Sequence, residues 1–312
     1  MIWVLGEALV DFVPCEIDGR MAYLPQPGGS PLNAAKAAAL AGAQVAFVGG
    51  ISSDFFGDML VSDLQRSGVD TRGAPRSNAP STLAFVTLEG GHPRYAFFNN
   101  LTSTALVEPE PRAAALRRGD ILSVGSISLI DRPGAENIAA EALAVAEGAL
   151  LAFDPNVRAG MVKDGPDWTG RMERLFARAG LIKLSTEDLV VLRPGMAAAE
   201  FASLQIARGA GLVVVTDGAS GAQAFGPNGT VALPAPQITL VDTVGAGDTL
   251  MGTLLADLCR RGASAPDALA GLSQEALRQI LQRAVVAASI NCTAAGCHPP
   301  TRAEVDRWLE GG

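Results

Sequence analysis

The sequence predicts an α/β fold built on a mainly parallel sheet with helices on both faces. Short apolar runs recur at residues 2–5, 121–124, 150–153, 181–184 and 212–215. Stretches with helical spacing at 135–147, 168–179 and 198–208 separate the later ones. Strand and helix in alternation imply parallel pairing with crossover helices. No internal repeat, low-complexity tract or linker divides the 312 residues, so residues 1–312 are expected to form a single domain.

Composition narrows the function classes. Apolar residues make up 48% and charged residues 18%, the balance of a chain that buries a core. A formal net charge of −8 argues against nonspecific binding to nucleic acid or to an anionic membrane, so neither is expected as a partner. Lysine occurs only at Lys36, Lys163 and Lys183. No apolar run approaches the ~20 residues of a membrane span. The start, Met1-Ile2-Trp3-Val4-Leu5-Gly6-Glu7, lacks a basic leader and meets an acid at once, so a cytoplasmic location is expected. The four cysteines are too scattered for a disulfide scaffold. Cys292, Cys297 and His298 lack a nearby fourth ligand, which favours a packed environment over a metal site. With His92 the only other histidine, a hydrolase triad is poorly supplied.

Taken in order, residues 2–5 form a first strand, followed by acids at Glu7 and Asp11. An acid there sits at the carboxyl edge of a parallel sheet, and Asp11 suits a sugar's hydroxyls. Gly28-Gly29 precedes an alanine-rich helix with Ser30 as expected N-cap and Pro31 at its first position. Asn33 then faces the glycine-rich mouth, where it can donate and accept. Residues 45–48 read as strand and 55–66 as helix, closed by Gly68. Residues 82–88 alternate in the strand sense and return through a turn at 89–93 as a hairpin over 94–98. With residues around 13–24, these form an expected β-lid over about 12–25 and 82–100, which would exclude water. Residues 222–225 and 230–233 read as an antiparallel hairpin on the far side of the sheet. Helices close the chain at 274–291 and after Thr301, whose Glu304 completes a capping box.

The most informative stretch is Asp242-Thr243-Val244-Gly245-Ala246-Gly247-Asp248-Thr249. Residues 237–241 before it look extended. Apolar residues at Leu250, Met251, Leu254, Leu255 and Leu258 give helical spacing after it, up to Arg260-Arg261-Gly262. Gly245-Ala246-Gly247 is thus expected at a helix N-terminus, where free amides and the dipole favour an anion. Asp248 in the first turn suits proton abstraction from a hydroxyl that attacks a phosphoryl group.

Three loops after strands add polar groups at the same edge. Arg158, in Asp154-Pro155-Asn156-Val157-Arg158, can hold phosphate or a sugar hydroxyl in a forked contact. Lys183, Ser185 and Asp188 can organise phosphate and water-bound magnesium. Thr216 to Gly221 offers small residues for nucleotide phosphate or ribose. Gly245-x-Gly247 is not completed as a dinucleotide fingerprint, since residue 250 is Leu250, and no P-loop is present.

These strings resemble the ribokinase-like (phosphofructokinase-B type) carbohydrate kinases over nearly the whole chain. Gly28-Gly29-Ser30-Pro31-Leu32-Asn33-Ala34-Ala35 is similar to that family's N-terminal signature, and residues 242–249 to its C-terminal one. Asp154-Pro155-Asn156-x-Arg158, Lys183-Leu184-Ser185 and Ser126-Ile127-Ser128-Leu129 with Asp131-Arg132-Pro133 resemble the fructokinase branch. The resemblance implies a three-layer ribokinase-like fold and ATP-dependent phosphorylation of a primary sugar hydroxyl, fructose before 2-keto-3-deoxygluconate, ribose or a riboside. It implies Asp248 as base, the Gly245, Ala246 and Gly247 amides as anion hole, and sugar contacts from Asp11, Gly28, Gly29, Asn33, Phe98 and Arg158. Nucleotide contacts are implied for Lys183, Ser185, Thr216, Gly218, Gly221 and Asn291. Magnesium near Asp188 and a potassium ion held by Asp242 with carbonyls of Val244, Asn291, Ala294 and Gly296 are implied too. So is a homodimer through the lid. The segment Phe97-Phe98-Asn99-Asn100 lacks the arginine that many relatives carry, which favours a neutral acceptor over a carboxylate.

Overall fold

The computed structural model describes residues 1–89, 92–162 and 165–311; of the turn expected at 89–93, Gly90 and Gly91 lie outside the described residues, and the flanking positions belong to strands. In chain order the strands are β1 (Ile2–Leu5), β2 (Leu9–Ile17), β3 (Arg20–Gly28), β4 (Val45–Phe47), β5 (Ile51–Ser52), β6 (Arg76–Ser77) and β7 (Thr82–Glu89). Then come β8 (His92–Phe98), β9 (Ile121–Gly125), β10 (Leu150–Asp154), β11 (Leu181–Ser185), β12 (Leu212–Thr216), β13 (Ala222–Gly226) and β14 (Gly229–Leu233). The helices are α1 (Ser30–Leu40), α2 (Phe55–Arg66), α3 (Gly134–Leu143), α4 (Gly165–Arg178) and α5 (Thr186–Leu192). They continue with α6 (Ala198–Ala207), α7 (Ala246–Arg260), α8 (Pro266–Ala270), α9 (Gln274–Asn291) and α10 (Arg302–Gly311).

An eight-stranded sheet runs in the order β14-β13-β12-β11-β10-β9-β1-β4. Its pairs from β4 to β12 are parallel, and β13 and β14 add an antiparallel edge, as the hairpin pattern predicts. Side chains alternate across it with period two. Leu150 and Ala152 join a core with α1, α2, α7 and α9, whereas Leu151 and Phe153 join a second core with α3, α4 and α6. Two buried faces explain why these strands read as mainly apolar runs rather than as alternating ones. The order reverses at β1, which has β4 on one side and β9 on the other. A crevice opens at the carboxyl ends of strands at such a point.

A separate four-stranded sheet has the order β3-β2-β7-β8. It reaches further than the expected 12–25, since β2 begins at Leu9 and β3 ends at Gly28. Phe12 stacks on Phe85 at 4.4 Å and meets Phe56 of α2 edge-on at 5.6 Å. Leu9, Ala84 and Ile127 pack together, tying this sheet to the loop after β9.

Local boundaries moved in several places. The N-cap of α1 is Gly29, at φ 106°, not Ser30; Ser30 makes no cap bond because its hydroxyl is used elsewhere. The helix expected over 135–147 ends at Leu143. Residues 237–241 belong to no strand, and Val241 N–H donates to Cys292 O instead (2.9 Å). Helix α5 is too short for a periodic signal, but Ser185 and Asp188 cap it reciprocally. The Thr301–Glu304 capping box is present. No helix among the described residues is long and apolar enough to cross a membrane.

Candidate active site

The carboxyl ends of β1, β9, β10, β11 and β12 border a cleft of about 650 Å³, roofed on one side by Tyr95 and Phe97 of β8. A second, more apolar cavity of about 550 Å³ lies beside it. Thr216, Gly218, Thr243, Ala246 and Gly247 line both, so the two cavities meet at the start of α7.

That start is fixed by close packing. Gly245 caps α7 in the left-handed region at φ 75°, and a Cβ there would lie 2.3 Å from Cys297 Sγ. Only glycine fits both demands. The Ala246 N–H donates to Thr243 O (3.2 Å). Among the described residues, the N–H groups of Gly247 and Asp248 face no protein acceptor. The Gly245 N–H faces none either, so the open amides are two of the expected Gly245–Gly247 set and that of Asp248, with the helix dipole behind them.

Asp248 stands in the first turn of α7, 8% exposed and on the cleft wall. The acid is turned into the hollow rather than away from it. Its Oδ1 accepts from the Ser30 hydroxyl (2.7 Å) and its Oδ2 from Asn33 Nδ2 (2.9 Å). Hydrogen bonds to a charged group contribute about 1.5–3 kcal/mol each, enough to hold one rotamer. Asn33 Oδ1 is buried without a partner, leaving an acceptor beside the carboxylate.

Asp11 lines the same cleft. Burial, reinforced by the Asp248 charge and opposed by Arg158, pushes its carboxyl up to about 6. Arg158 is exposed at the rim, where its Nη1 donates to Asn156 Oδ1 (2.7 Å). Lys183 is buried, with Nζ 2.8 Å from Asp154 Oδ2. Burial alone would lower the Lys183 ammonium, but Asp154, Asp188 and Asp248 around it raise it, so it stays charged. A Cβ on Gly247 would come within 3.0 Å of that Nζ, which places the ammonium beside the open amides. Asp188 Oδ1 accepts from Val157 N (2.6 Å) and Oδ2 from Ser185 N (2.8 Å). Glu187, next to it, is exposed on the cleft wall.

The cleft thus gathers Asp11, Gly29, Asn33, Arg158, Lys183, Ser185, Asp188, Thr216, Gly218, Val244, Gly245, Ala246, Gly247 and Asp248 from the expected site. Gly221 lines the second cavity at φ 96°, where a Cβ would lie 2.0 Å from Leu233 O. Other expected residues are placed differently. Gly28 is buried behind Asp11, close enough that a Cβ would meet Asp11 Oδ2 at 2.0 Å. Phe98 is 60% exposed on the opposite face of β8 from Tyr95 and Phe97, because neighbours in a strand alternate. Asn291 is fully buried, with Nδ2 donating to Val244 O (2.8 Å) and Oδ1 accepting from His298 N (2.8 Å). It braces the turn before α7 and lines neither cavity. Asp242 accepts N–H groups from Val244 (3.1 Å) and Gly296 (2.8 Å), joining the two loops expected around a monovalent cation.

Among the lining residues that were not expected at the site are Glu7, Ser30, Tyr95, Phe97 and Glu187. The strand-end position that marked Asp11 also marks Glu7, and alternation along 94–98 separates Phe97 from Phe98. Nothing in the sequence shows Ser30 facing Asp248.

The pfkB family carbohydrate kinase model matches residues 1–304, and the chain belongs to that family. It is an ATP-dependent carbohydrate kinase with the ribokinase-like fold expected from the sequence. It is similar to the fructokinase of Rhizobium leguminosarum bv. trifolii, 34% identical over 279 residues covering 89% of this chain and 86% of that protein. Among solved structures, fructokinase with bound ATP from Xylella fastidiosa superposes at TM-score 0.89 with 27% identity, covering 99% of this chain and 98% of that one. Fructokinase from Vibrio cholerae O395 in its fructose-, ADP- and calcium-bound form superposes at 0.83 with 25% identity, covering 99% and 98%.

Proposed function

We propose that the protein transfers the γ-phosphoryl group of ATP to the 6-hydroxyl of fructose, in the cytoplasm where ATP is made available. The observation that carries this reading is the position of Asp248 on the polar cleft, beside the amides where the two cavities meet. The polar cleft suits the sugar and the apolar cavity the adenosine. Asp248 takes the hydroxyl proton, and the resulting alkoxide attacks the phosphorus as ADP leaves. The amides of Gly247 and Asp248, with the Lys183 ammonium, meet the negative charge that builds on the transferring group.

A neutral acceptor fits the cleft better than an acidic one. Its floor carries Glu7, Asp11 and Asp248, and a sugar carboxylate would be repelled there. Magnesium, which the family uses to screen phosphate charge, suits the wall formed by Glu187 and Asp188. Asp188 already accepts two N–H groups, so water-mediated contact fits it, and Glu187 is the freer carboxylate. A potassium ion suits the loops joined by Asp242, with carbonyls of Val244, Asn291, Ala294 and Gly296 as donors. The four-stranded sheet is read as a lid, with Tyr95 and Phe97 turned inward. It leaves Ile17 59% and Leu24 53% exposed on the face that Asp11 shares, and Met21 77% and Phe98 60% exposed on the other, which supports a homodimer through it.

Matched turnover measurements on fructose, ribose, 2-keto-3-deoxygluconate and a nucleoside, each with ATP, test the acceptor. Fructose is expected to give the highest kcat/KM. A strong preference for the acid would overturn the neutral-sugar reading.

A further inference from the structure

Glu7 has no part in the chemistry described above, yet it is 1% exposed and borders the cleft. It follows β1 at the point where the strand order reverses. Its Oε1 accepts from the backbone N–H of Ser30 (3.3 Å) and its Oε2 from that of Ser128 (3.1 Å). The Ser126 side chain bonds to it as well. Gly29 packs so tightly here that a Cβ would lie 2.8 Å from Glu7 O and 3.2 Å from its Cγ. One carboxylate thus ties the end of β1 to the first turn of α1 and to the loop after β9. Burying a carboxylate is costly unless several donors face it, and three do.

Ser30 is the link to the chemistry. Its N–H is held by Glu7, and its hydroxyl donates to Asp248 Oδ1 at 2.7 Å. Asn33, one turn along the same helix, holds the other oxygen. We propose that Glu7 is a positioning residue, whose carboxylate fixes Ser30 and through the Ser30 hydroxyl sets the orientation of Asp248 toward the acceptor hydroxyl. This rests on Asp248 being the base.

The arrangement needs both carboxylate oxygens as acceptors. Burial pushes Glu7 up to about 7, opposed by hydrogen bonds from Ser126, its own N–H and Ser128, and reinforced by the charge of Asp248. Asp248 is the charged group that faces it. A proton on Glu7 turns one acceptor into a donor and breaks one of the two N–H contacts. The ordered form is therefore the ionised one, fully present only above the neutral range.

The test is a set of saturating kcat and pH–kcat profiles for wild type, Glu7→Gln, Ser30→Ala, the double variant and Asp248→Asn. Glu7→Gln is expected to lower kcat about tenfold or more and to remove an acidic limb centred near pH 7. Because the effect runs through Ser30, the double variant should be no slower than the slower single variant. A Glu7→Gln enzyme with wild-type kcat and an unchanged limb overturns the proposal, as do losses that multiply fully in the double variant. Asp248→Asn separates the premise from the proposal. If it keeps turnover, the base assignment fails; if it is inactive beside a normal Glu7→Gln, Glu7 alone is misassigned. Should Glu7→Gln not fold, Ser30→Ala decides: loss of the wild-type limb supports the relay, and the same limb in both overturns it.

Discussion

Asn33 Nδ2 donates to Asp248 Oδ2 at 2.9 Å, joining the first turn of α1 to the first turn of α7 across 215 positions of the chain. The contact is buried, and with the Ser30 bond to the other oxygen it leaves the carboxylate one orientation. A carboxylate held this way sacrifices no further side-chain freedom when a ligand arrives.

Asp248→Asn should remove the proton acceptor while keeping its shape. Turnover should fall by about 10²–10⁴. Sugar binding, followed by calorimetry, should change far less. A variant that loses binding and turnover in equal measure would argue for an anchoring role instead.

Asn33→Ala should act on the sugar side of the reaction. It removes the donor to Asp248 and, with it, the buried and unpartnered Oδ1 beside that carboxylate. The sugar KM should rise and kcat fall, for a combined loss of about tenfold to a hundredfold in kcat/KM, with the ATP KM unchanged. Steady-state kinetics with each substrate varied in turn distinguishes this from a general loss of structure.

Asp11 links function to stability through pH. Its carboxyl is raised from 3.8 to about 6 in the folded protein, chiefly by burial. The folded state holds that proton more tightly than the unfolded chain does. Its contribution to stability is therefore full below about pH 3.8 and lost as pH rises through about 6. Asp11→Asn stays neutral throughout, so at pH 8 it should melt about 2–4 °C above wild type, a gap that closes near pH 4. The same variant should bind sugar more weakly, which isothermal calorimetry measures.

Gly245→Ala should damage both stability and catalysis. It forces a side chain into φ 75° and toward Cys297 Sγ at 2.3 Å. A loss of about 1–3 kcal/mol in chemical unfolding is expected. The kcat should fall too, since the amides of Gly247 and Asp248 move with the turn. Retention of wild-type kcat in the folded fraction would show that these amides tolerate displacement.

Glu187 and Asp188 should separate metal use from structure. Asp188→Asn turns one of two acceptor oxygens into a donor, so it breaks either the capping-box bond from Ser185 N or the contact with Val157 N, and it should cost about 1–2 kcal/mol in unfolding. Glu187→Gln, exposed on the cleft wall, should leave stability alone and raise the magnesium concentration needed for half-maximal rate. Titrating magnesium against rate for both variants reads the difference.

Much of this was determined by the sequence alone. Apolar runs buried on both faces reported the parallel strands, because a buried position there favours an apolar side chain; Lys183 is admitted only with Asp154 beside it. Gly245, Gly247 and Asp248 reported the helix start at the cleft, because dipole, open amides and acid lie within one local turn. What the sequence could not determine was direction. Phe98 and Phe97 differ only in which face of β8 they occupy, and sheet packing decides that. Asn291 carries an amide that suits a ligand, but the fold turns it inward to brace Val244. Ser30 has the chemistry of a cap, yet a helix more than two hundred residues away claims its hydroxyl. Glu7 owes its burial to segments remote in sequence. Local pattern fixes which groups are present at the carboxyl edge; only the packing of β1, α1, β9 and α7 against one another decides which groups meet.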